Sequence, residues 1–94
     1  MENSDCQSVV QELCSYDDFS MDKKREEEVK QIFGQRLRNI RREKGMSQEE
    51  LAFQASFDRT YISGIERGQK NPSLITIETL ADALDVNTDS FFRD

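Results

Sequence analysis

The 94-residue chain has no tryptophan, no histidine, one proline and only two cysteines, and its mean hydropathy is −0.80. Each shortage removes a class of protein. With no histidine and two thiols, a structural zinc site is not expected. No apolar run approaches the ~20 residues that span a bilayer. The N-terminus shows no basic-then-apolar signal pattern, so a cytoplasmic location is expected and a membrane partner is not. Cys6 and Cys14 both lie within the first fifteen residues; a disulfide scaffold would spread its cysteines through the fold, so the usage suits a reducing compartment. If both sit on one helix they are about 12 Å apart, too far to bridge. Redox sensing through them stays open. No Ser–His, Cys–His, paired-carboxylate or phosphate-loop arrangement occurs, so neither an enzyme activity nor a cofactor is expected. What remains is room for one small domain with an economical, all-helical core.

The formal charge of −6 hides an uneven distribution. Residues 1–29 hold nine acids against three bases, residues 30–71 hold nine bases against five acids, and residues 72–94 hold five acids against Arg93. A basic middle between acidic ends is the electrostatic footprint expected for a polyanion.

Helical periodicity runs along the chain. Ser4 and Gln7 resemble a capping box ahead of a stripe of Cys6, Val9, Val10, Leu13 and Cys14, which ends at the polar connector Ser15–Lys24. Such a helix is too short to stand alone; it docks or frays. From about Glu26, Phe33, Leu37, Ile40 and Arg41 share a face that ends at Lys44-Gly45. Ser47 and Glu50 form a capping box that opens a second helix with Leu51, Ala52 and Ala55 at core spacing. Asp58 is the expected N-cap of a third helix closed by Gly68. Ser73 caps a fourth with Leu74, Ile77, Leu80, Ala81 and Leu84 facing inward. Asn87 caps a last short helix carrying Phe91 and Phe92. No strand-like alternation and no repeat is evident.

The third helix is the unusual one. Ile62 and Ile65 suit a core, yet Arg59, Thr60 and Ser63 project from the other face, with Arg67, Lys70 and Asn71 just beyond. The second and third helices are joined by a very short connection, with Ala52 where they would cross. That combination suits a helix-turn-helix, whose second helix enters the DNA major groove. Arg59 is then the leading base reader, since a guanidinium bonds bidentately to guanine O6 and N7. Thr60 and Ser63 are further base contacts. Tyr61 either reaches a phosphate or packs beneath the helix, while Arg67, Lys70 and Asn71 lie where backbone phosphates are gripped. Arg36, Arg38 and Arg42 either assist or form a solvated face. Gly64, inside the helix, either allows close approach to DNA or leaves a gap for Arg59 or Tyr61. Val86, Phe91 and Phe92 exceed the needs of one small core and are candidate dimer contacts.

The string MSQEELAFQASFDRTYISGIERGQKNPS resembles the phage-repressor/Cro-type (Xre-type) helix-turn-helix, and most of all the small controller proteins of restriction–modification systems. The resemblance runs from about Phe33 to Phe92. It implies a compact five-helix, lambda-repressor-like DNA-binding domain over residues 29–94, with an acidic N-terminal extension, helical or flexible, over residues 1–28. It also implies a homodimeric transcription regulator on a palindromic operator in double-stranded DNA. By the same resemblance Gln48 bonds a phosphate and braces the recognition helix, and Arg41 and Glu66 form a buried ion pair. Ser56 stands where the family usually has glycine, at an αL cost of roughly 1 kcal/mol. The alternatives are an antitoxin-like subunit whose residues 1–28 hold a protein partner, and an adaptor that binds protein alone. The acidic segment competing with DNA in cis is a third expectation.

Overall fold

A computed structural model of the chain describes residues 22–93. The expected helix around Cys6–Cys14 and most of the acidic extension lie outside the described residues. Those described form four α-helices and one 3-10 turn, with no strand among them: α1 (Lys23–Glu43), α2 (Gln48–Ala55), α3 (Arg59–Glu66), α4 (Leu74–Leu84) and the turn Thr88–Phe91.

Local chemistry accounts for the element ends. The Asp22 carboxylate accepts the Arg25 backbone N–H at 2.8 Å and starts α1, so Lys23 and Lys24 belong to the helix rather than to a connector. Ser47 and Glu50 make the reciprocal capping box, with Glu50 N–H donating to Ser47 Oγ at 3.0 Å and Ser47 N–H to Glu50 Oε1 at 2.8 Å. Ser73 Oγ accepts from Thr76 N–H and starts α4. Asp58 occupies the N-cap of α3 with extended backbone, but its side chain makes no capping bond.

α1 packs on α3, α2 packs on α3 and α4, and the 3-10 turn closes against α1 and α4. The core between them is Phe33, Leu37, Leu51, Ala52, Ala55, Ile62, Ile65, Leu80, Ala81, Leu84 and Phe91. Three further sequence expectations change. The fifth helix is a single 3-10 turn of four residues, a length at which that tighter geometry is usual. Phe91 is fully buried, its ring 5.1 Å from that of Phe33; it fills the core and is not available as a dimer contact. Leu74 does not face inward and is 73% exposed. As the first residue of α4 its side chain points back past the start of the helix, beyond the packed turns.

Candidate nucleic-acid interface

Two short helices and one strained residue build the exposed surface. Between α2 and α3 the chain reverses at Ser56, at φ 61° and ψ 39°, and its left-handed geometry lets Phe57 N–H donate to the Ala52 carbonyl at 2.8 Å. Alanine at 52 and 55, both buried, lets the two helices approach closely. The Phe57 ring then meets Tyr61 edge-on, with centroids 5.3 Å apart, so half-buried Tyr61 is held on the flank of α3 rather than projecting freely. With Ile62 and Ile65 buried, helical periodicity turns Arg59, Thr60 and Arg67 outward, with Ser63 half-buried between them.

Arg59 is wired into the protein interior. Its Nη1 donates to Gln48 Oε1 at 3.2 Å, and Gln48 Nε2 donates to Glu66 Oε1 at 3.0 Å. Glu66 also accepts two bonds from Arg41, from Nε at 2.6 Å and from Nη2 at 3.0 Å, while Arg41 Nη1 donates to the Met46 carbonyl at 2.7 Å. The Arg41 and Glu66 side chains are 8% and 2% exposed. Such a pair is tolerable in a core because the fork geometry and the extra partners saturate both charged groups. The amide of Gln48 must hold its nitrogen toward Glu66, which leaves its oxygen facing Arg59. One line of polar contacts therefore joins α1, α3, α2 and the first residue of α3.

Gly34 makes this line possible, and it went unnoticed in the sequence. A Cβ at Gly34 would collide with the Ile65 carbonyl oxygen and lie 2.8 Å from that of Glu66; α1 and α3 touch backbone to backbone there. The available signal was a glycine inside an amphipathic helix, which costs about 1 kcal/mol relative to alanine and so calls for a packing reason.

The far end of α3 is organised differently. A Cβ at Gly64 would lie 2.9 Å from Lys70 Cγ, so the gap expected at Gly64 is filled by the aliphatic stem of Lys70, not by Arg59 or Tyr61. Gly68, at φ 76°, ends the helix and sends Gln69 N–H to the Gly64 carbonyl at 2.9 Å. Arg67 Nε donates to the Ser63 carbonyl at 3.2 Å, and Asn71 is exposed beyond it. Arg38 and Arg42 are exposed on α1. Arg36 is turned elsewhere: its Nη1 donates to the Phe91 carbonyl at 3.3 Å, beside the C-terminal turn. Of the remaining dimer candidates, Val86 is half-buried and Phe92 is 57% exposed. Among the described residues no group of His, Cys, Asp and Glu is placed to hold a metal ion, and no helix is long and apolar enough to cross a membrane.

Comparison with known proteins agrees with this geometry. The Helix-turn-helix family matches residues 37–91. Control protein C.BamHI of Bacillus amyloliquefaciens is 52% identical over 59 residues, covering 62% of this chain and 73% of that protein. The crystal structure of the restriction–modification controller protein C.AhdI from Aeromonas hydrophila superposes with a TM-score of 0.66 at 52% identity, covering 67% of this chain and 96% of that one. The controller protein C.Esp1396I, solved as a tetramer in complex with its natural 35 base-pair operator, gives a TM-score of 0.64 at 41% identity over 68% of this chain and 84% of its own. Structures of that protein also exist with single substitutions at three successive positions, an arginine, a threonine and a tyrosine, the order in which Arg59, Thr60 and Tyr61 stand here. The chain belongs to the helix-turn-helix family and is a DNA-binding transcription regulator of the phage-repressor/Cro (Xre) type.

Proposed function

We propose that the protein acts as a homodimer on a palindromic operator, each subunit laying α3 in one major groove with the half-sites roughly 34 Å apart. Arg59, Thr60 and Ser63 meet base edges, and Gln48, Tyr61, Arg67, Lys70 and Asn71 meet the sugar–phosphate backbone on either side. The observation that carries this reading is the tether from Arg59 through Gln48 to the buried ion pair. An arginine held at one nitrogen keeps its other donors for guanine O6 and N7, and it loses less side-chain freedom on binding than an untethered one. Gln48 keeps its second amide hydrogen for a phosphate. Arg67 and Lys70 add cations where the helix ends, which contributes salt-dependent affinity without sequence preference. The relative solved on its own operator supports duplex DNA as the ligand. Of the three apolar residues expected at the subunit contact, Val86 and Phe92 keep exposed surface for it.

Selection of bound duplexes from a random pool tests the reading. The expected product is an inverted repeat whose half-site centres are one helical turn apart, with a G·C pair that depends on Arg59. A pool that shows no enrichment at moderate ionic strength refutes it and favours the adaptor alternative.

A further inference from the structure

The cations of the protein are not all gathered at α3. Arg36, Lys44 and Arg93 line one cleft, of about 610 Å³, between the second half of α1 and the C-terminal turn. This cleft opens away from the proposed DNA surface. Gly34 faces α3, and Arg36, two residues on, stands about 200° around α1 from it. A duplex laid along α3 therefore gives Arg36 no partner, and a gathering of bases there, in a chain of net charge −6, calls for another reason. Arg93 is the only base in residues 72–94, against five acids, and it lies in this lining.

The lining has the make-up of a small-ligand site. Ile40 and Val86, both packed against the core, supply an apolar floor. Asn39 and Ser90 add hydrogen-bonding groups. Arg36 is half-buried and its Nη1 donates to the Phe91 carbonyl at 3.3 Å, so it gives up little freedom when a ligand binds. Arg93 pairs with Asp89 at 3.5 Å, with both side chains well exposed; such a bond is too weak to keep it from a stronger anion. Glu43 is the one acid in the lining, which leaves three bases against it and a charge of +2. A dianion matches that charge. A phosphate monoester carries about −1.5 to −2 near neutral pH, and its oxygens suit the guanidinium fork. We propose that the cleft binds a small phosphate monoester with an apolar group, its phosphate among Arg36, Lys44 and Arg93 and its apolar part on Ile40 and Val86. Val86 is also expected at the subunit contact, so the site opens at the edge of that contact. It stands whether or not α3 reads DNA.

Phenyl phosphate is the probe, titrated into the isotope-labelled full-length protein at about 0.15 M salt, where loose surface attraction is screened. Backbone amide shifts are expected at Asn39, Ile40, Val86 and Ser90, with half-saturation at about 1–10 mM, the range open to so small a ligand. The double variant Lys44→Gln with Arg93→Gln changes two exposed side chains, and its own amide spectrum shows whether the fold is kept. It is expected to raise the half-saturation concentration at least about tenfold. Lys70→Ala, beside α3, is expected to leave that concentration unchanged. Phenol, which has the ring without the charge, and inorganic phosphate, which has the charge without the ring, are each expected to bind at least about threefold more weakly. Shifts that never saturate, or that gather at Gln48, Arg59 and Lys70, overturn the proposal, as does a half-saturation that the double variant leaves in place. Inorganic phosphate binding as tightly as phenyl phosphate would make the cleft an adventitious ion site only, and overturns it too.

Discussion

The two ends of α3 hold their cations by different physics. At the N-terminal end Arg59 is positioned by directed hydrogen bonds that run through Gln48 into the Arg41–Glu66 pair. At the C-terminal end Lys70 rests its aliphatic stem on the bare backbone of Gly64. The first arrangement fixes a direction, which base recognition needs. The second fixes only a neighbourhood, which suffices for a phosphate, because an ammonium is a point charge whose attraction depends little on angle. The helix thus divides specificity and non-specific grip between its ends.

The strongest way to break the comparison is to remove its foundation. Arg41→Ala leaves the Glu66 carboxylate buried without its cation, and is expected to lower folding stability by about 3–5 kcal/mol in urea denaturation. A loss below about 1 kcal/mol would mean that Gln48 or water satisfies Glu66 alone and that the tether of Arg59 has no firm anchor. Gly34→Ala attacks the same anchor from the backbone. Its methyl meets carbonyl oxygens rather than a movable side chain, so a destabilisation of about 1–3 kcal/mol or more is expected despite alanine's better helix propensity.

Two substitutions sharpen the comparison at the DNA. Arg59→Ala is expected to cost about 1–3 kcal/mol on the selected operator and to relax preference at one base pair, with little change on random duplex. Equal losses on both would assign Arg59 to the backbone. Lys70→Ala is expected to weaken operator and random duplex alike and to reduce the slope of log K against log salt by about 1. A loss confined to the operator would give Lys70 a base-reading role and erase the contrast between the ends.

Much of the fold could be read from local rules. The Ser47/Glu50 box, the left-handed Gly45 and Gly68, and the inward spacing of Leu51, Ile62 and Ile65 are each decided within a few residues. So was the grouping of Arg59, Thr60 and Ser63 opposite the isoleucines, which follows from periodicity alone. What escaped depends on partners distant in sequence. Periodicity places Leu74 on the inner stripe but cannot say where the neighbouring helices end. Phe91 looked surplus because nothing local shows that a 3-10 turn folds it against Phe33. Gly34 reveals its purpose only once α3 is packed against it, and the Arg59–Gln48 bond spans the helix-turn-helix corner.

Gly64 offers the finest discrimination, because there stability and binding are expected to move in opposite directions. Gly64→Ala restores helix propensity worth about 0.5–1 kcal/mol. The atoms nearest the new methyl all belong to the flexible stem of Lys70, which can swing aside, so the folded state should gain most of that amount in urea denaturation. Once displaced, the Lys70 ammonium no longer has a seat beside α3, and affinity for operator and random duplex should fall together, by less than Lys70→Ala produces. Lys70→Ala combined with Gly64→Ala should then bind no worse than Lys70→Ala alone, because the seat matters only while it is occupied. Additive losses would show that Gly64 acts on DNA directly, through close approach of the helix backbone, and would move the site of non-specific grip from the lysine to the helix itself.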